Sequence, residues 1–110
     1  MICCRQQGGF FMQFVINAYD GKDDGAFERR MSVRPQHLEN IAGLNEAGHV
    51  ICAGGMTNSE GKLIGSVLIM DFDSRDQLDD YLANEPYVKA NVWEDIKVEP
   101  INVVIANAKK

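Results

Sequence analysis

An α+β fold of order βαββαβ, a single antiparallel sheet with helices on one face, is predicted by three features of this sequence. Four segments rich in β-branched and aromatic residues are separated by two stretches of helical periodicity. Their order, strand–helix–strand–strand–helix–strand, is the ferredoxin-like arrangement. The chain has 110 residues, enough for one such domain and little else.

The first strand is read from Met12 to Tyr19 (MQFVINAY), which alternates and is rich in strand formers. A polar loop, Asp20–Gly25, follows. From Ala26 to about Ala47 the pattern is helical, with Phe27, Met31, Leu38, Ile41 and Leu44 on one broad arc at about 100° per residue. Pro35 interrupts it. Either the helix kinks there, or a short helix ends near Val33 and a second begins with Pro35 in its first turn. Gly48 supplies the C-terminal stop. Val50–Ala53 reads as a short strand ended by Gly54-Gly55, and Thr57 to Lys62 as a polar hairpin loop. Leu63 to Phe72 is a long strand. Ser74-Arg75-Asp76-Gln77 is a capping-box signature for the second helix, whose inner face carries Leu78, Tyr81 and Leu82. Asn84-Glu85-Pro86 ends that helix, and Val88 to Trp93 is irregular or a brief helical turn. The last strand is Ile96 to Ile105. Its inward parity shifts around Pro100, as at a bulge or an edge position. Lys109-Lys110 read as a frayed end.

The strand Leu63–Phe72 is apolar on both parities: Leu63, Val67 and Ile69 on one, Ile64, Leu68, Met70 and Phe72 on the other. Two helices cover only one face of a sheet, and a solvated second face should alternate cleanly. The sequence therefore predicts a homodimer through the sheet face, two-fold dimers being the commonest small assemblies. The alternative is a strand whose exposed residues are merely apolar.

Hydrophobic residues make up 45% and charged residues 25%, and the net charge is -5. This acidic balance speaks against nucleic acid and anionic membrane as partners. No apolar run approaches the roughly 18–20 residues that span a bilayer, and Met1-Ile2-Cys3-Cys4 does not lead into the apolar core of a signal peptide. A cytoplasmic protein is expected, with Cys3, Cys4 and Cys52 as free thiols and Cys52 as inert core. Residues 1–11 carry no alternation continuous with the first strand. Gln7-Gly8-Gly9 can be encoded by a ribosome-binding sequence, with Phe10-Phe11 as spacer. The expectation is a non-native leader over 1–11 and one domain over 12–110, with Met12 as the native start. A native peptide containing Cys3-Cys4, found by mass spectrometry, would overturn it.

Several motifs occur in a specific order. Arg30-Met31-Ser32-Val33-Arg34-Pro35-Gln36-His37-Leu38 resembles the R-x-x-x-R-P-x-H-L stretch of YciI-like (YCII) proteins. Glu46-Ala47-Gly48 and Ala53-Gly54-Gly55-Met56 are similar to that family's E-G and A-G-P-M. Glu85-Pro86-Tyr87-Val88 stands where it usually has D-P-Y, and Trp93–Pro100 resembles its closing strand. The resemblance covers nearly everything from Met12 onward. It implies a ferredoxin-like dimer of the dimeric α/β-barrel group, which includes muconolactone isomerases, with an active site built on a His–Asp pair. Most members have no assigned reaction; a few relatives act on ring-derived metabolites by proton transfer and elimination. Two departures stand out. The acid here is Glu85, whose extra methylene moves the carboxylate by about 1.5 Å and adds a rotor. Asn91 replaces a usual glycine, and asparagine tolerates a left-handed backbone.

On a helical wheel His37 falls between Ile41 and Leu44 and so points toward the sheet, with Arg34 on the same arc. An imidazole in a half-buried cleft, oriented by a carboxylate, is suited to general acid/base work. The competing reading is a core histidine satisfied by a backbone carbonyl. Glu85 is read as the orienter or as a solvated helix-end acid. Arg34 is a clamp for an anionic group or the partner of Glu85 or Asp95. Tyr87 donates in the pocket or merely packs. Gly54 and Gly55 admit a ligand close to the backbone or only shape a turn. His49 is expected to be exposed and without a role, and Trp93 to anchor the core or the dimer interface. Asp71, Asp73, Asp76, Asp79 and Asp80 lack calcium-loop spacing and read as a solvated face. With two histidines and no close Cys/His set, no metal is expected; no nucleotide motif is present and no cofactor is signalled.

The leading expectation is a small-molecule enzyme of proton-transfer type, lyase-, isomerase- or dehalogenase-like, acting on a small anionic and ring-bearing metabolite. His37 would be the acid/base, Glu85 its orienter and Arg34 the clamp. The rival is a non-catalytic dimer that binds a small ligand or a protein.

Overall fold

The computed structural model describes residues 12–106. The expected leader, Cys3, Cys4 and the Lys109-Lys110 end lie outside the described residues. The elements are β1 (Met12–Asp20), α1 (Ala26–Glu46), β2 (Val50–Thr57), β3 (Leu63–Phe72), α2 (Arg75–Asn84), α3 (Pro86–Lys89) and β4 (Trp93–Pro100). The strands form one antiparallel sheet of order β2-β3-β1-β4. This is the ferredoxin-like α+β fold, with α3 as an added single turn.

The core lies between the sheet and the helices. Phe14, Ile16 and Ala18 from β1 meet Leu68, Met70 and Phe72 from β3, and Leu78, Tyr81, Tyr87, Val92 and Trp93 close over them. Alternation along β1 and β3 puts these residues on one face. Gly65 is required where β3 passes β1, since a Cβ there would stand 2.5 Å from the Ala18 carbonyl oxygen.

Several expectations are corrected. Of the two readings of Pro35 the two-helix one falls: Pro35 lies inside one continuous helix of 21 residues. The buried stripe of α1 coincides only in part with the apolar arc. Arg30 and His37 are buried and Val33, Ile41 and Leu44 pack on the core, whereas Met31 and Leu38 are exposed. The pattern misleads because two polar residues with partners inside the fold occupy the middle of the stripe. β2 continues through Gly54-Gly55 to Thr57, because Gly54 and Gly55 pair with Val67 and Ser66 of β3. β4 stops at Pro100 rather than Ile105. It is an edge strand, and the irregularity in its pairing lies at Tyr19/Asp20, at the end away from Pro100. Beyond it, Gln13 ties the chain down by accepting from Ile101 N (3.0 Å) and Val103 N (2.9 Å). Cys52 is exposed, not core.

Local signals hold where the backbone alone decides. Ser74 caps α2 by accepting from Gln77 N at 3.3 Å. Gly48 (φ 88°) ends α1 in the left-handed region, and Asn91 (φ 61°) takes that conformation after α3. The face of the sheet away from the helices carries Val15, Cys52, Met56, Val67 and Ile69 toward β2, and the charged Asp95, Lys97 and Glu99 along β4.

Candidate active site

Arg30, His37 and Leu44 recur every seven residues, so two turns of α1 aim an arginine and a histidine at the sheet. His37 meets Glu85 there, with Nδ1 2.6 Å from Oε2. A carboxylate oxygen only accepts, so Nδ1 carries the proton. Glu85 is wholly buried at the junction of α2 and α3, and its carboxylate takes three donors. Oε2 also accepts from Tyr87 N at 3.0 Å, and Oε1 accepts from the Tyr81 hydroxyl. The Tyr87 bond is also the cap of α3, so Glu85 is fixed by the same turn that places Tyr87.

Tyr87 lies flat against the imidazole, with ring centroids 4.0 Å apart and planes at 13°. Trp93 meets both rings edge-on. The Arg30 guanidinium sits 4.8 Å from the Tyr87 ring centre. It is itself held by Asp20 (2.8 and 3.0 Å), the Gly65 carbonyl (3.1 Å) and Ser66 Oγ (2.9 Å). Burial pushes the Asp20 carboxyl above its ordinary range, and Arg30 pulls it back.

His37 Nε2 has no hydrogen-bond partner among the described residues. The ring borders a cleft of about 260 Å³ lined by Arg34, Leu38, Ile41, Ala53, Gly54, Gly55, Leu63, Leu68 and Tyr87. Arg34 forms no ion pair among the described residues, neither with Glu85 nor with Asp95. Tyr87 Oη is buried without a partner. Burial raises its pKa and Arg30 and Arg34 oppose the rise, so the hydroxyl keeps its proton at neutral pH. Arg30 is cancelled by Asp20, which leaves Arg34 as the uncompensated cation of the cleft. A Cβ on Gly54 would meet open space, while one on Gly55 would strike the Leu63 side chain at 2.5 Å. Of these two glycines, only Gly55 has a neighbour that would have to move.

The six residues singled out in the sequence thus border or support one cleft: His37, Arg34, Gly54, Gly55 and Tyr87 line it, and Glu85 lies behind the histidine. Sequence reasoning missed Arg30, Asp20, Ser66 and the hydroxyl of Tyr81. The spacing of Arg30 seven before His37, and of Tyr81 four before Glu85, was a usable signal. Asp20 and Ser66 carried none, because only the sheet brings them under α1. His49 is not free either: its Nδ1 donates to the Asp71 carbonyl at 2.8 Å and its ring stacks on Phe72. No cluster of three potential metal ligands occurs among the described residues.

The sequence matches the YCII-related domain over residues 12–102. The chain belongs to the YCII-related family. This YCII-related protein is 35% identical over 99 residues to protein YciI of Escherichia coli, covering 84% of this chain and 99% of that one. It is 32% identical, with the same coverage, to an uncharacterized protein of Haemophilus influenzae. Among solved structures its fold matches 5-chloro-2-hydroxyhydroquinone dehydrochlorinase from Burkholderia phenoliruptrix, solved in complex with 2,5-dihydroxybenzoquinone. That match has a TM-score of 0.74 at 24% identity, over 83% of this chain and 94% of that chain. No described helix is long and apolar enough to cross a membrane.

Proposed function

We propose that this YCII-related protein is a cofactor-independent enzyme of the cytoplasm that moves a proton on a small anionic, ring-bearing metabolite, in a lyase-, isomerase- or dehalogenase-type reaction. The observation that carries this reading is the His37–Glu85 contact, with Nε2 unpartnered at the edge of a cleft. A ring whose Nδ1–H is held by a carboxylate presents a basic Nε2 and has its imidazolium form stabilised once the proton is taken up. Arg34 would bind the anionic group, and the Tyr87 hydroxyl would donate to a second oxygen. Gly54 and Gly55 leave the β2 side of the cleft open to a flat ligand. The same fold carries a dehydrochlorinase that holds an oxygenated six-membered ring, which supports the substrate class.

The protein acts as a homodimer through the free sheet face, in this reading. Val15, Met56, Val67 and Ile69 form an apolar area that water would otherwise cover. Light scattering should give twice the chain mass for wild type and the single mass for Ile69→Arg. A wild-type monomer would remove this part of the proposal.

The site is tested by a thermal-shift and ligand-detected NMR screen of hydroxylated ring acids, lactones and quinols, with wild type beside His37→Ala. Binding that depends on His37, followed by turnover of the bound compound, is the expected result. If no compound binds, and His37→Ala does nothing but lower the melting temperature, His37 is structural and the protein is not this enzyme.

A further inference from the structure

We infer that Tyr81 is a positioning residue: its hydroxyl holds one oxygen of Glu85 so that the other is presented to His37. The inference rests on the acid/base reading of His37.

Glutamate reaches His37 through three rotatable bonds, and a carboxylate at the end of such a chain can rotate or exchange its oxygens unless both are held. Here both are. Oε2 lies between His37 Nδ1 (2.6 Å) and the Tyr87 amide (3.0 Å), while Tyr81 donates to Oε1 from one helical turn earlier. Without Tyr81, Oε1 would lose its one side-chain donor inside a residue that has no exposed surface. An imidazole hydrogen bond is directional, so the angle of the carboxylate sets the orientation of the ring and the tautomer it adopts.

Tyr81 is well suited to this. It is 6% exposed, and its ring is stacked against Phe72 at 6.2 Å and 26°. Burial, and then the Glu85 charge, raise its pKa far above the ordinary tyrosine value, so the hydroxyl stays a donor. Charged and titratable groups facing the pair are Arg30 and Arg34 from α1, Tyr87 from α3 and, behind Arg30, Asp20 from β1. Of these side chains none hydrogen-bonds to the Glu85 carboxylate; Tyr87 reaches it only through its backbone N–H.

The test is ¹⁵N NMR of the histidine rings in the whole chain, at a pH where they are neutral. Free imidazole favours the Nε2–H tautomer, whereas a ring held by Glu85 takes Nδ1–H. Wild-type His37 should be predominantly Nδ1–H. Tyr81→Phe should lower that share at least twofold, while His49, held by a backbone carbonyl, reports that the fold is intact. An unchanged His37 tautomer in folded Tyr81→Phe overturns the role of Tyr81 and leaves the acid/base reading standing. A wild-type ring in the Nε2–H form removes both. If Tyr81→Phe does not fold, 3-fluorotyrosine placed at position 81 keeps the shape and makes the hydroxyl a stronger donor. It should then shift the His37 ring resonances, and no shift overturns the inference. Once a substrate is known, Tyr81→Phe should lower kcat about tenfold or more with KM within about twofold, because it alters the base and not the binding surface.

Discussion

The two histidines occupy similar frames with different chemistry. Each donates from Nδ1 to an oxygen, at 2.6 Å for His37 and 2.8 Å for His49, and each ring lies against an aromatic side chain. The acceptor for His37 is a buried carboxylate; for His49 it is the Asp71 carbonyl. A carbonyl dipole only orients a ring, whereas a carboxylate can also balance charge that develops on the ring during proton transfer. The surroundings differ in the same sense. The His37 cleft has an uncompensated cation in Arg34, whereas the cavity beside His49, about 330 Å³, is lined by Asn40, Gln77, Asp80 and Asn84 with no cation. Nearness to an aromatic ring and a satisfied Nδ1 therefore do not make a candidate acid/base; the charge of the acceptor and of the cleft do.

The largest effect should come from breaking the charged frame that only the His37 side has. Arg30→Met leaves Asp20 buried without its partner and should cost about 3–5 kcal/mol, read as a large fall in denaturation midpoint. A loss below about 1 kcal/mol would mean that water reaches Asp20 and that the two sides are less different than the geometry implies.

Next in size is the contrast itself. On a substrate identified by the screen, His37→Ala should lower turnover about 10²–10⁴-fold. His49→Ala should leave turnover unchanged and lower stability by about 1–2 kcal/mol, for one hydrogen bond and one ring contact. Equal losses of activity would erase the distinction.

The tyrosines give a pH test. Tyr81 and Tyr87 are both raised by burial. Above the ordinary tyrosine value, near 10, the unfolded chain releases these protons while the native state keeps them. The unfolded state then binds fewer protons, so stability falls as pH rises, by up to about 1.4 kcal/mol per pH unit for each group. Stability is intact below that pH and is lost above it. Tyr81→Phe should flatten the alkaline slope of the melting temperature; an unaltered slope would show that Tyr81 is not buried in solution.

The smallest effect is expected beside Arg30. Arg29 pairs with Asp23 at 2.9 Å at the surface, where hydrogen bonding to Arg29 lowers the Asp23 pKa. Solvent screens such pairs, so Asp23→Asn should leave the melting temperature at neutral pH within error. A shift of several degrees would give this surface pair a role that its exposure does not suggest.

Much of this was legible in the sequence, and the misses have definite causes. Alternation in β1, the apolar run of β3, the Ser74 cap, Gly48 and Asn91 are readable because each depends on a few consecutive residues. The α1 stripe is legible only in part: His37, Ile41 and Leu44 face inward as the wheel predicts, but Met31 and Leu38, core by hydropathy, are exposed, and Arg30 holds a buried position. Hydropathy assigns polar groups to water unless a partner is known, and Asp20 and Ser66, which hold Arg30, lie on strands that only the fold brings under α1. Gly54-Gly55 reads locally as a turn that would end β2, while hydrogen bonds from β3 carry the strand through it.

By itself the sequence determined the order of elements and most of their caps and turns, because these follow from local backbone preference and side-chain period; the inward side of His37 and Arg34 follows from the same period, while Glu85 and Tyr87 were marked by the resemblance to the YciI-like family. The tertiary structure decided which oxygen meets which nitrogen. The Tyr81–Glu85–His37 chain and the Asp20–Arg30–Ser66 network depend on positions fixed to a fraction of an ångström by packing across four elements, and no periodicity along one chain encodes a distance of that kind.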